Sequence, residues 1–233
     1  MNNIEKAIEL EHSLTASGVK QADLFPHLKE FGFDHLSQYY DAKREHLFAQ
    51  WTPEVYYIDI GEFAQVTEDA IQNGRYGIYI PTEEGVHAYH GNDKIDYELC
   101  ESLDVRVVEL NYAGGTIIGS AADLSILVVF PRNMGMNHPS LIHKFRDTIG
   151  KYVPNVTRHG NDILVNGEKV SGSMTRFVGD SFVWAAQVSF ADYSEYIQKI
   201  CNKPQRKKPA FIDNNLLTKD ALEKELLAWL QKK

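Results

Sequence analysis

One dipeptide limits what this chain can fold into. Asn166-Gly167 lies between two runs, Asp162-Ile163-Leu164-Val165 and Glu168-Lys169-Val170. Both central positions of a tight hairpin turn need positive φ, and Asn-Gly accepts that at little cost, so the segment is predicted to be a β-hairpin. A two-residue connection commits this region to antiparallel sheet. It also puts Lys169 just past the turn, ahead of a predicted bend at Ser171-Gly172-Ser173, where the bare Gly172 would let a ligand approach the main chain. On spacing alone, the competing reading is a surface hairpin with a solvated lysine.

The elements around the hairpin alternate in type. Residues 1–51 read as helices: one carries Ile4, Ala7 and Ile8, a short one over 23–32 is broken at Pro26, and a longer one capped by Asp34 carries Leu36, Tyr40, Leu47 and Trp51. That segment has five Lys/Arg against eight Asp/Glu, so it lacks the basic footprint of a helix-turn-helix DNA reader. From Pro53 the period shortens. Strands are expected over 55–60, 77–80, 86–90, 105–110, 124–130 and 181–190, and helices over 62–72, 96–103, 139–149 and 192–200. The 77–80 and 86–90 strands are joined by a turn at 81–85, and Gly150 caps the 139–149 helix. Lys203 to Pro209 reads as a basic linker, and Thr218 caps a final helix with Leu222, Leu226, Trp229 and Leu230 on its apolar face.

Composition narrows the classes. The chain has 233 residues, 43% hydrophobic, enough for one sizeable core or a core plus an appendage. A net charge of −8 argues against bulk binding to nucleic acid or to an anionic membrane. Two cysteines, Cys100 and Cys201, are too few for a disulfide framework or a cysteine zinc site. No apolar signal segment opens the chain and Ile126 to Phe130 is too short to span a bilayer, so a cytoplasmic setting is expected. The His87/His90 and His138/His143 pairs lack the spacing of a zinc hydrolase. Asp123 and Asp180 read as turn formers rather than magnesium ligands. Arg206-Lys207-Lys208, with Lys203, reads as a solvated linker rather than a phosphate or carrier contact.

A second glycine feature is Asn111-Tyr112-Ala113-Gly114-Gly115-Thr116, between two expected strands. Paired glycines let the backbone turn and present N–H groups to an anion, although a plain β-turn accounts for them equally. Together, Asn161-Asp162, the hairpin, Lys169-Val170-Ser171-Gly172-Ser173 and the upstream Gly114-Gly115 resemble the motifs of the lipoate–protein ligase family, over roughly Val55 to Ile200. The resemblance implies a mixed α/β fold, largely antiparallel and flanked by helices, shared with biotin ligases, at 52–202. It leaves 1–51 as a helical extension and 203–233 as linker and C-terminal helix.

It also implies a chemistry. Lys169 would contact the acyl carboxylate and the adenylate phosphate, Asn161 and Asp162 would lie near ATP, and Asp162 would hold Mg2+. The backbone at Gly114, Gly115 and Thr116 would line the acyl site, and Ser171, Gly172 and Ser173 would border substrate. The acid would be lipoate, octanoate or biotin, and the partner an acidic, folded lipoyl-type carrier domain. The sequence departs from the family in its Glu109-Leu110-Asn111-Tyr112 lead, in Gly119 about where a histidine follows the glycine loop, and in Trp184-Ala185-Ala186-Gln187. Missing positive charge weakens stabilisation of an adenylate. A non-catalytic or repurposed member therefore stands beside the ligase. A third reading is a related acyltransferase branch, with a thioester on Cys201, 32 residues after Lys169 (201 − 169 = 32); the bland alternative is a small buried thiol.

Overall fold

The computed structural model describes residues 2–82, 84–91, 94–201 and 207–232. Two compact units form, Met1–Thr52 with Asn133–Met136, and Pro53–Arg132 with Asn137–Lys233. In the first, α1 (Asn3–Ala16) begins with a capping box in which Asn2 and Glu5 satisfy each other's backbone N–H. Helices α2 (Phe25–Leu28) and α3 (Leu36–Gln50) come next. Pro26 starts α2 instead of breaking a helix, because a proline in the first turn forfeits only an N–H that has no helical partner. His35, not Asp34, is the cap of α3; the Asp34 N–H instead donates to the Gln38 side chain. Ala7, Leu24, Leu28, Phe33 and Tyr39 form the core of this unit. Glu11 is buried beside them, accepting from the Tyr39 hydroxyl at 2.6 Å and pairing with Lys43.

The second unit runs β1 (Glu54–Asp59), α4 (Ile60–Gln72), β2 (Gly77–Thr82), β3 (Val86–His90), α5 (Tyr97–Ser102), β4 (Val105–Glu109), β5 (Ile117–Ser120), β6 (Leu124–Pro131), α6 (His138–Gly150), β7 (Val156–His159), β8 (Asp162–Val165), β9 (Glu168–Val178), β10 (Ser181–Val188), α7 (Ser194–Ile200) and α8 (Lys219–Gln231). A seven-stranded sheet has the order β1-β2-β6-β10-β9-β8-β7, and a three-stranded sheet the order β4-β3-β5. In the large sheet β1 and β2 pair in parallel and every other pair is antiparallel. This is the mixed, largely antiparallel α/β architecture expected. The 77–80 and 86–90 segments are strands, but they belong to different sheets, so the two do not form a hairpin. Strand β5 is absent from the sequence-based expectation; its Ile117 and Ile118 pair with Tyr89 and Ala88.

Alternation along the central strands sorts residues to two layers. Trp184 faces α6, with its ring edge-on to Phe145 at 5.5 Å. On the opposite face, Leu127, Val129 and Val183 pack with Ile60, Phe63 and Ile71 of α4 and with Tyr89 and Val108 of the small sheet. Gly150 ends α6 as a helical residue and Lys151 is the cap, so the glycine is not needed for a left-handed turn. The Thr218 hydroxyl caps α8, which buries Leu222, Leu226 and Leu230. Among the described residues no helix is long and apolar enough to cross a membrane.

Candidate functional site

The hairpin forms as predicted. Asn166 and Gly167 have φ of 52° and 85°, and Val165 faces Glu168 across a two-residue turn. The bend expected beyond it does not form: β9 continues unbroken through Ser171, Gly172 and Ser173 to Val178. The irregularity is instead in register. Leu164 pairs with Lys169, but Ile163 pairs with Ser171, which leaves Val170 as an extra residue. Residues three apart in a regular strand face opposite sides; one bulged residue puts Lys169 and Gly172 on the same side. Asp162, which pairs with Gly172, shares that face. The Lys169 ammonium therefore lies over Gly172, where an added Cβ would come within 3.3 Å of it, and reaches Asp162 Oδ1 at 2.9 Å.

The same row continues across the sheet. Gly172 faces Gln187 on β10, and Gln187 faces Ser125 on β6. Two residues further along is a parallel apolar row of Leu127, Ala185 and Met174. Above these rows is a cavity of about 390 Å³, roofed by Phe63, Tyr89, Tyr112 and the loop from Ala113 to Ile117. One end is polar, with Lys169, Asp162, Gln187 and Ser125, and the other is aromatic and aliphatic. A ligand with an anionic head and an apolar tail matches that division.

The polar end is built from shared contacts. Asp162 Oδ2 accepts from Lys207 Nζ at 3.0 Å, so each carboxylate oxygen faces an ammonium group. Burial alone would raise this carboxyl's pKa; the two lysines override it and hold it below the usual value. Ser173 donates from N and Oγ to the Asn161 carbonyl, so its hydroxyl accepts from His138 Nε2–H at 3.0 Å. Burial, then the Arg158 charge, lower the His138 pKa and favour that neutral form. Arg176, on the cavity face of β9, donates to the Asn111 carbonyl at 2.7 Å and pins the lead into the glycine loop.

Gly114, Gly115, Thr116, Asn161, Asp162, Lys169, Gly172 and Ser173 all line this one cavity. Ser171 does not; it faces a smaller crevice of about 60 Å³ with Lys207, Pro209 and Ala210. Cys201 lines neither space; it ends α7 and bridges to Ile95. Neither Gly114 nor Gly115 has positive φ, so the loop does not need them for a left-handed turn. Asp123 is not a loop carboxylate open to magnesium but is buried, accepting from the Ser120 and Phe190 N–H groups. Among the described residues no three His, Cys, Asp or Glu side chains gather as a metal site. Mg2+ does not fit Asp162 as it stands, with an ammonium group at both oxygens. Lys207 is drawn in as an ion-pair partner rather than solvated, Lys208 pairs with Glu168 but stays largely exposed, and Lys203 and Arg206 lie outside the described residues. Ser125 carries no signal in the sequence; Lys207 reads there as part of a linker and Gln187 as a departure from the family, and it is sheet pairing and a distant segment that bring all three here.

No protein-family profile and no curated protein matches the chain. Solved structures match in fold. P. falciparum LipL1 in complex with lipoate aligns with a TM-score of 0.63 at 15% identity, over 77% of this chain and 60% of that one. A lipoate-protein ligase A bound with ATP aligns at 0.60 and 11% identity, over 78% and 85%. The bipartite lipoate protein ligase of Thermoplasma acidophilum, from an archaeal lipoylation system studied with its E2 lipoyl domain, aligns at 0.57 and 13% identity, over 78% and 83%. This chain thus spans 60% of the length of LipL1. At such identities the likeness is one of fold.

Proposed function

We propose that this chain is a diverged acyl ligase of the lipoate–protein-ligase type. It would activate a small carboxylic acid (lipoate, octanoate or biotin) with ATP and pass the acyl group to a lysine of a lipoyl-type carrier domain. The observation that carries this reading is the Lys169 ammonium, turned by the bulge over bare main chain at the polar end of an otherwise apolar cavity. In the first step a carboxylate oxygen attacks the α-phosphorus of ATP, the bond to the β-phosphate bridge breaks and pyrophosphate leaves. In the second the carrier amine attacks the acyl carbonyl, loses a proton, and AMP leaves. Lys169 would stabilise the charge growing on the phosphoryl oxygens. The wall of Phe63, Tyr89, Leu127, Met174 and Ala185 would hold the tail and exclude water that would hydrolyse the activated acyl group. ATP–pyrophosphate exchange with each of the three acids tests the reading. A folded protein that gives no exchange with any of them rejects it.

A second reading has its own support. Among the described residues Lys169 is the sole Lys, Arg or His lining the cavity. A repurposed ligase fold that binds an acid without activating it needs no more than that. It predicts saturable binding of an acid with no exchange. The thioester route through Cys201 draws no support from the geometry, because the thiol does not line the cavity.

A further inference from the structure

A lysine held 2.9 Å from its own carboxylate is poorly placed to attract an anion, because the pair is close to neutral as a unit. The Lys169–Asp162 pair is not alone, however. Lys207 reaches the other oxygen of Asp162 at 3.0 Å, and the three side chains are 32%, 24% and 18% exposed in the order Lys169, Asp162, Lys207. Two ammonium groups on one carboxylate leave a surplus positive charge in a place where water screens weakly. Lys207 does not line the main cavity, so its route to a ligand runs through Asp162.

The chain holds Lys207 there by main-chain pairing. Strand β10 ends at Val188, opposite Ser171, so it does not extend far enough to pair with Lys169. The segment Lys207–Ile212 takes its place. Lys169 N–H donates to the Lys208 carbonyl at 2.9 Å, Ala210 N–H donates to the Lys169 carbonyl at 2.7 Å, and Ile212 N–H donates to the Ser189 carbonyl at 2.9 Å. Pro209 lies opposite Lys169, a position where its missing N–H costs nothing. Lys208 pairs with Glu168 at 2.6 Å, and Lys207 Nζ also donates to the His159 carbonyl at 3.3 Å. One strap thus satisfies the backbone of Lys169 and supplies the counter-charge to its partner.

We infer that Lys207 is a positioning residue of this site: it offsets the charge of Asp162 so that the charge of Lys169 stays available to an anionic ligand. The inference rests on the ligase reading for the identity of the anion and on geometry for the role of Lys207.

The test is calorimetric titration of the full chain with pyrophosphate and with ATP. Lys207→Met is expected to weaken binding about ten-fold or more, the lower edge of what close charge pairs contribute. Lys207→Arg keeps the charge and is expected to keep the binding. The discriminating variant is Lys207→Met combined with Asp162→Asn, which removes the charge that Lys207 offsets; it is expected to bind as tightly as Asp162→Asn alone. Unchanged binding in Lys207→Met, continued weakness in the double variant relative to Asp162→Asn, or no anion bound by the wild type each overturns the inference. Should Lys207→Met fold poorly by melting temperature, Lys207→Gln takes its place in both comparisons. Exchange assays separate the two claims. Lys207-dependent pyrophosphate binding without exchange removes the ligase reading and leaves this one; exchange and binding undiminished in Lys207→Met do the reverse.

Discussion

At the scale of single residues, neighbouring glycines differ sharply in what they do. A Cβ added at Gly119 would collide with Gln187 Nε2, the group that donates to the Ile118 carbonyl at 2.8 Å and ties the two sheets together. Gly119→Ala is expected to cost about 1–3 kcal/mol in urea denaturation, because the amide must give up its bond or the strand must shift. Gly114→Ala meets nothing within 4 Å and should leave stability within about 0.5 kcal/mol. Lys169→Met is expected to lower exchange by about a hundred-fold or more with little change in melting temperature, since the side chain is a third exposed and its loss opens no core. His87 makes a different prediction. It is fully buried, neither ring nitrogen has a hydrogen-bond partner among the described residues, and burial, then the Arg106 charge, push its pKa below the usual value. The unfolded chain takes up this proton as pH falls through about 6.5, while the folded chain stays neutral to a lower pH. The stability this neutral ring contributes is therefore present above about 6.5 and is lost as pH falls through the folded value. Urea midpoints measured from pH 7.5 down to 5 should drop less in His87→Phe than in the wild type.

At the scale of elements, the sequence was readable where a local requirement dictated the residue. Asn166-Gly167 announced its turn because few other pairs accept φ of 52° and 85° in succession. Thr218 and the helical pattern of α6 and α8 were legible for the same reason: a cap or a 3.6-residue stripe is local chemistry. The site was legible in its members but not in its mechanism of assembly. A bulge at Val170 leaves no residue signature, because it is a relation between two strands, yet it decides whether Lys169 faces the cavity or the other side. The separation of β2 and β3 into different sheets and the arrival of Lys207 at Asp162 are non-local in the same way. Ser171-Gly172-Ser173 reads as a bend because glycine and serine favour turns, and pairing to β8 and β10 on both sides overrides that preference. Since the turn fixes the register that the bulge then shifts, Gly167→Ala, which forces a Cβ into the left-handed region, should cost about 1 kcal/mol in urea denaturation.

At the scale of the molecule, the cavity has two ends that should answer separately to mutation. Its volume of about 390 Å³ lies in the range of ordinary ligand sites, roughly 300–1,000 Å³. A ligand at a hundred times its dissociation constant adds about 2.7 kcal/mol to the stability of the unit that binds it, which raises a melting point by about 5–10 °C for a domain of this size. Ala185 sits in the apolar row between Leu127 and Met174, two residues along β10 from Gln187, and its small side chain leaves space where a tail would run. Ala185→Leu fills that space without touching Lys169, Asp162 or Lys207. Octanoate and lipoate should then lose most of their thermal shift, while pyrophosphate, which needs only the charged end, should keep its own. Lys207→Met should give the opposite pattern for pyrophosphate. If both variants weaken every ligand alike, head and tail are not held at opposite ends of one cavity, and the division between Lys169 and the aromatic wall has no functional meaning.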